Sequence, residues 1–271
     1  MNAAANIFLG MDSSPLAVKP YLSKITDAQM FAIMVSGLAS VAGTVLLAYA
    51  QMGAQLEYLL AACFMSAPGG LMMAKIIFPD DSQQVSLSND LSMDSMESPH
   101  TNIIMAAAVG ASDGLKLAVS IAAMLIAFVA LIALTNSLFV GLGSLIGIED
   151  LTMQKILGWV FSPIMFLLNI PWDEAQDARA LFGEKLILNE FVAFSHLNEY
   201  LSGMSEKTIV IVTFALCGFA NFASIGILMG SLGILIPEKK EFIARYGLKA
   251  VLAGSLANLM SAAFAGLLFV S

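Results

Sequence analysis

Hydrophobic residues form five long runs that are separated by short polar connections. A helix that crosses the hydrocarbon core of a bilayer needs roughly 20 apolar residues, and these runs approach or exceed that length. Any one of them could be a buried helix of a soluble protein, but five together predict a helical membrane protein. The predicted spans are 28–50, 56–78, 114–147, 208–236 and 247–270.

Two further apolar stretches are interrupted by turn-forming or polar residues. The first is broken at Gly10–Pro15 and the second at Leu188–Ser195. Irregular backbone at membrane depth must face protein or a water-filled cavity, because lipid cannot satisfy its amide groups. Each stretch is therefore predicted to face protein or a water-filled cavity and not lipid.

The chain contains an internal repeat. Gly37–Ala42 (GLASVA) in the first span matches Gly218–Ala223 (GFANFA) in the fourth, and Met65–Ala67 matches Met260–Ala262 in the spans that follow. Each half has the order broken segment, span, span. Chance similarity between alanine-rich helices is the alternative, although order and spacing agree as well as residue types.

The basic residues are distributed unequally between the two sets of connections. Eight fall in the connections around 16–27, 75–116 and 238–249, and four, including Lys185, fall in the others. The positive-inside rule places the first set in the cytoplasm, so the two halves run in opposite directions. Inverted repeats with discontinuous helices are how secondary transporters build a binding site at the membrane midplane, so the predicted fold is an all-α membrane protein made of inverted repeats.

Composition excludes several classes of function. Of the 271 residues 59% are hydrophobic and 12% are charged, about half the charged fraction of a soluble domain. The net charge of −8 argues against a nucleic-acid partner. The spans contain no histidine, GxSxG or HExxH, so no enzyme activity and no bound cofactor is predicted.

Polar side chains within apolar stretches are the first candidates for a binding site, because they are costly in a membrane. The carboxylate of Glu190 could accept two hydroxyl hydrogen bonds, and Asn221 and Ser224, three residues apart, would share one helical face. These groups suit a sugar, with Phe219 beside them for a flat ring. The alternatives are a capping residue at a helix break, hydrogen bonds between helices, and core packing.

Oxygen-bearing side chains also gather near the first break and its partner span. Small hard cations need several oxygen ligands, which include the carbonyls that an unwound helix frees. The candidates are Asn6, Asp12 and Ser40.

Two longer motifs resemble those of the concentrative nucleoside transporters. Asn189–Phe194 (NEFVAF) is similar to that family's NEFVAY, and Gly218–Ile227 (GFANFASIGI) is similar to its GFANFSSIGI. Gly110–Leu117, Met65–Pro68 and Phe242–Leu248 also look like family segments. The resemblance extends over essentially the whole chain.

The resemblance implies that each inverted repeat is a re-entrant hairpin plus two transmembrane helices, with partly unwound helices. The five regions it implies are 1–78, the second arm of the first hairpin and the first repeat helices; 79–113, a polar loop and an interfacial helix; 114–148, a long scaffold transmembrane helix; 149–207, an interfacial segment and the second re-entrant hairpin; and 208–271, the second repeat helices.

The resemblance implies a homotrimer in the inner (plasma) membrane that takes nucleosides into the cell with sodium as coupling ion. Glu190, Asn221 and Ser224 would hold the ribose, and Phe219 would pack against the nucleoside. The remaining implied substrate positions are Met11, Ser13 and Val45, and the implied sodium ligands are Asn6, Leu9, Asp12, Ser40 and Val41.

The chain departs from the family pattern at the tip of the first hairpin. Residues 10–15 are GMDSSP, whereas the family has GQTEAP or a sequence close to it. Met11 and Ser13 replace a glutamine and a glutamate that read the base, and Asp12 replaces a hydroxyl residue at the sodium site. Asp12 in a desolvated tip could carry a proton instead, which would make protons the coupling ion. The chain could also carry another ribosylated solute.

The chain is also short for the family, because it lacks the family's first helices. A fragment is expected, and an inactive or assembly subunit is the alternative.

Overall fold

A computed structural model describes residues 1–22, 24–80, 103–145, 147–148 and 151–269. The described residues are helical, and none of them forms a strand. The helices are α1 (Asn2–Ala17), α2 (Lys19–Leu22), α3 (Asp27–Ala39), α4 (Leu46–Gln51), α5 (Leu56–Ile77), α6 (Ile103–Leu145), α7 (Met153–Leu167), α8 (Ala175–Ile187), α9 (Glu190–Tyr200), α10 (Glu206–Leu216), α11 (Ala223–Leu235) and α12 (Lys240–Leu268).

Three helical segments within the described residues are long and apolar enough to cross a membrane, namely Asp27–Gln51, Leu56–Ile77 and Pro237–Leu268. They coincide with the first, second and fifth predicted spans. The third lies within α6, which begins at Ile103, upstream of the predicted start at 114. The predicted loop is described only at 79–80, since 81–102 lie outside the described residues.

The fourth predicted span is two helices, α10 and α11, separated by the non-helical segment 217–222. The first span is divided in the same way, because the backbone is extended at Ser40 and at Ala42 between α3 and α4. Both repeated motifs fall on these breaks. The prediction of partly unwound helices is confirmed.

The two unwound segments meet in the middle of the molecule. The amide of Phe219 donates a hydrogen bond of 3.1 Å to the carbonyl of Ser40, and the amide of Phe222 donates one of 3.0 Å to the carbonyl of Leu186 in α8. The backbone groups released by unwinding are thus satisfied by protein, as membrane depth requires.

The repeated helices also begin alike. Thr26 caps α3 by accepting a hydrogen bond from the amide of Gln29, and Ser205 caps α10 by accepting one from the amide of Thr208. An acidic residue follows each cap, at Asp27 and Glu206, where it faces the positive end of the helix dipole. The internal repeat therefore extends to the helix ends.

The first interrupted stretch is a helix with a sharp kink at Gly10, whose φ is 78° and ψ 172°. The hydroxyl of Ser14 hydrogen-bonds the side-chain oxygen of Asn6 across the kink. Eight residues of straight helix would separate these groups by about 12 Å, so the chain doubles back. The sequence predicted an interruption over 10–15, but the break is confined to Gly10 because Met11–Ala17 resumes the helix.

The second interrupted stretch is a hairpin of α8 and α9 that turns at Leu188 and Asn189. The side chain of Asn189 accepts a hydrogen bond of 2.9 Å from the amide of Val192 and so caps α9. Across the hairpin, His196 lies 2.9 Å from Glu184. Both interrupted stretches therefore reverse direction.

Candidate functional site

The carboxylate of Glu190 lies at the start of α9, where the side chain is only 5% exposed. The hydroxyl of Tyr49 donates a hydrogen bond of 3.0 Å to one carboxylate oxygen, and the amide of Asn221 donates one of 3.4 Å to the other. Glu190 comes from the second hairpin, Tyr49 from α4 and Asn221 from the unwound segment before α11. The carboxylate therefore joins both repeats.

The orientation of the Asn221 amide is fixed by Ser224. The backbone amide and the hydroxyl of Ser224 donate to the side-chain oxygen of Asn221 at 2.8 and 3.0 Å. Because that oxygen is occupied, the NH2 group must face Glu190. The structure thus brings together the three residues that the sequence singled out for the ribose.

A cavity of about 490 Å³ opens beside this cluster, between the kink of α1 and the two unwound segments. Its lining residues are Phe8, Leu9, Met11, Asp12, Ser13, Ala42, Thr44, Val45, Phe219 and Ile227. Six of them are residues predicted for the site, whereas Glu190, Asn221 and Ser224 are not in the lining. Thr44, a hydroxyl residue on the wall, was not predicted.

The residues at the hairpin tip differ in their exposure. Met11 is 3% exposed and packs against Gly37, whereas Asp12 and Ser13 are half-buried. Asp12 therefore lies on the cavity wall and is partly enclosed by protein.

The predicted ion ligands lie on the two sides of the contact between the α1 kink and the first unwound segment. Asn6 and Val41 are fully buried and Ser40 is 1% exposed. The thiol of Cys63 lies 3.4 Å from the carbonyl of Val41 and 3.5 Å from the carbonyl of Ile7. Carbonyl oxygens from both segments therefore converge, and such oxygens suit a hard cation.

Both polar atoms of the Asn6 side chain have hydrogen-bond partners. Its oxygen accepts from Ser14, and its NH2 group donates to the hydroxyl of Ser36 at 3.3 Å. This network fixes the side-chain oxygen of Asn6 toward the inside of the kink. The residues fit a sodium site that uses amide, hydroxyl and main-chain oxygens.

Three polar residues of the site were missed by the sequence analysis. Tyr49 is 1% exposed and stacks on Phe194 with ring centroids 4.4 Å apart. Asn258, on α12, donates to the carbonyls of Ala39 at 2.7 Å and Cys217 at 2.9 Å. Both lie inside predicted spans, where a polar group is costly, so the rule that identified Glu190 could have identified Asn258, whereas a tyrosine in a span is also an ordinary packing residue.

Lys185 is the third missed residue, and the sequence analysis placed it wrongly in a connection. It is 0% exposed, and its ammonium donates to the carbonyl of Ala215 at 2.7 Å and to the side-chain oxygen of Asn258 at 2.8 Å. The second set of connections therefore carries three basic residues instead of four, against eight in the first set.

The chain matches known proteins over almost its whole length. The family described as "Na+ dependent nucleoside transporter C-terminus" matches residues 58–266. The uncharacterized transporter YutK of Bacillus subtilis is 52% identical over 98% of this chain and 65% of its own length. The nucleoside permease NupC of Helicobacter pylori is 50% identical over 98% of this chain and 64% of its own length.

Solved structures agree with these relatives. CNTnw in an inward-facing substrate-bound state has a TM-score of 0.77 and 48% identity, covering 98% of this chain and 63% of that chain. A doubly substituted CNTnw in an outward-facing state has a TM-score of 0.87 and 47% identity, covering 99% of this chain and 64% of that chain. The all-helical membrane fold is therefore confirmed.

The chain spans about 65% of the length of the first of these relatives. Family and fold together establish a multi-pass protein of the plasma membrane, and the family is one of transporters, not enzymes. The chain belongs to the Na+ dependent nucleoside transporter family, and its residues 58–266 match the carboxy-terminal region of that family.

Proposed function

We propose that the protein containing this chain takes nucleosides into the cell by secondary active transport coupled to sodium. The observation that carries the proposal is the Glu190 carboxylate, held by Tyr49 and Asn221 beside the crossing of two unwound helices. In this proposal the carboxylate of Glu190 accepts hydrogen bonds from the ribose hydroxyls. The side chains of Asn221 and Ser224 exchange further hydrogen bonds with the same hydroxyls. Relatives named as nucleoside permease and sodium/nucleoside cotransporter support the substrate and the ion.

The cavity would hold the base. Phe219 lies on its wall and joins it to the polar cluster, since Asn221 follows two residues later. Val45, Met11 and Ser13 complete the substrate positions of the proposal. Glu190, Asn221 and Ser224 do not line the cavity, so the proposal requires the ribose to enter between Phe219 and the tip of the second hairpin.

The sodium ion would be held by the side chains of Asn6, Asp12 and Ser40 with the carbonyls of Leu9 and Val41. The contact of the α1 kink with the first unwound segment supports the Val41 carbonyl, which meets the thiol of Cys63 together with the carbonyl of Ile7, two residues before Leu9. The homotrimer implied by the resemblance stays a prediction. The alternative is that this chain is an inactive or assembly subunit. In that case the proteoliposomes described below would show no uptake.

We expect a sodium gradient alone to drive uridine uptake in proteoliposomes made from the protein containing this chain. Asp12→Asn removes one charged ligand from the ion, so the sodium concentration for half-maximal uptake should rise by about tenfold, equivalent to about 1.4 kcal/mol. Asp173→Asn, at an exposed position, is the matched control. Uptake driven by a proton gradient without sodium, and lost in Asp12→Asn, would contradict sodium coupling.

Base selectivity should be weak, because a buried site discriminates strongly only through polar groups that a wrong ligand leaves unpaired. Met11 offers no such group, and we expect uridine, cytidine and adenosine to compete within about threefold of one another. The double variant Met11→Gln, Ser13→Glu should widen the range beyond about tenfold. Met11→Leu controls for packing against Gly37, and strong base preference in the unaltered protein would refute the prediction.

A further inference from the structure

Lys185 carries an ammonium group in the interior of the protein, beside the proposed substrate site. The residue is 0% exposed, and the ammonium donates to the Ala215 carbonyl at 2.7 Å and the Asn258 side-chain oxygen at 2.8 Å. The ring of Phe182 lies 5.4 Å from the nitrogen, within cation–π range. The charge is therefore enclosed by oxygens and an aromatic face.

The position of Lys185 on the second hairpin corresponds to that of Asn6 on the first. Gly10 is the non-helical residue before the second half of α1, and Asn189 is the non-helical cap before α9. Asn6 stands four residues before Gly10, and Lys185 stands four residues before Asn189. Both side chains are 0% exposed.

The oxygens around the ammonium are of the kind that binds a cation. The carbonyl of Ala215 belongs to the last turn of α10, where the negative end of the helix dipole favours positive charge. Asn258 is oriented so that its oxygen faces Lys185, because its NH2 group donates to the carbonyls of Ala39 and Cys217. Main-chain and amide oxygens at a half-helix end are what secondary transporters offer to sodium.

We propose that the Lys185 ammonium is a tethered cation that occupies, in the second repeat, the place which the coupling sodium takes in the first. The inference rests on the proposed function for the identity of the first ion. It means that one sodium ion accompanies each nucleoside, since the second site is already filled. Lys185 is thus a positioning residue that holds the end of α10 and Asn258 against the second hairpin.

Lys185→Gln tests the proposal, because it removes the charge and leaves an amide oxygen in the site. The ratio of labelled sodium to labelled uridine entering proteoliposomes should be one in the unaltered protein and two in the variant. Lys240→Gln, at an exposed position, should keep a ratio of one. A ratio of one with active uptake in Lys185→Gln would overturn the proposal.

Folding supplies a second readout that does not depend on transport. The melting temperature of purified Lys185→Gln protein in detergent should rise more steeply with sodium chloride than that of the unaltered protein, which binds sodium only at the first site, and neither should rise with choline chloride. Lys185→Met, which brings no oxygen, should show a smaller rise. Equal responses of all variants to the two salts, or failure of Lys185→Gln to fold at any sodium concentration, would overturn the proposal.

The two readouts separate this inference from the proposed function. An unaltered protein that transports without sodium, together with a Lys185→Gln variant that sodium stabilises, would refute the coupling and keep the tethered cation. Sodium-driven uptake by the unaltered protein, together with a Lys185→Gln variant that sodium does not stabilise, would keep the coupling and refute the tethered cation.

Discussion

Replacing Glu190 with glutamine is expected to abolish uptake of uridine and adenosine in a host that lacks its own nucleoside transporters. The carboxylate accepts from Tyr49 and from Asn221, whose NH2 group is held in place by Ser224. A glutamine keeps only one acceptor oxygen and adds an NH2 group that must face one of these donors or a ribose hydroxyl. Unpaired groups of this kind cost about 1–3 kcal/mol each, so two of them together should lower uptake by at least about 30-fold.

Glu199→Gln is the matched control for this variant. Glu199 lies on the same helix, α9, but is exposed, so its replacement should leave uptake within about twofold of the unaltered protein. Surface expression of both variants is measured by labelling, which separates loss of transport from loss of protein. Normal uptake in Glu190→Gln would eliminate the ribose role of the carboxylate.

Replacing Gly10 with alanine should have the second large effect. The backbone of Gly10, at φ 78° and ψ 172°, lies in a region that is essentially restricted to glycine, and another residue there costs about 1–3 kcal/mol. An alanine Cβ would also lie 2.9 Å from the Cβ of Ala42. The kink must therefore shift away from the first unwound segment, and we expect at least a tenfold loss of uptake with a lower melting temperature.

A second variant separates the two causes. Ala42→Gly removes the colliding Cβ but leaves the backbone strain, so the double variant Gly10→Ala, Ala42→Gly should recover only part of the uptake. Gly141→Ala is the control, because a Cβ at Gly141 meets no atom within 4 Å and alanine favours the helix. Gly10→Ala with uptake and melting temperature equal to the unaltered protein would show that the kink does not need this backbone.

Much of the fold could be predicted because membrane depth imposes simple physical rules. Length and hydrophobicity identified the helices, and turn-forming or polar residues marked the interruptions over 10–15 and 188–195, which the structure places at Gly10 and at Leu188–Asn189. The repeated motif of 37–42 and 218–223 located both unwound segments. Helix ends were less certain, since α6 already begins at Ile103 whereas hydrophobicity placed the start of that span at 114.

The site was predicted in part, for a physical reason. Glu190, Asn221 and Ser224 stand out as polar groups in apolar sequence, and the structure brings them together. Lys185 was misplaced because basic residues were assumed to mark connections, whereas partners 30 and 73 residues away satisfy its charge. Tyr49 was missed because a tyrosine in a span is also an ordinary packing residue, and only the distant Glu190 distinguishes it.

The length of α6 makes this protein sensitive to the thickness of the bilayer around it. The helix has 43 residues, and the part that follows Lys116, 117–145, contains no charged residue. That uncharged part is about 44 Å long at about 1.5 Å per residue, against a hydrocarbon core of about 30 Å. The helix must therefore tilt, extend beyond the hydrocarbon core or draw thicker lipid around itself, and its packing against α11 constrains how far it can tilt. A change in acyl-chain length thus acts on the contact between α6 and α11, the helix that carries Ser224.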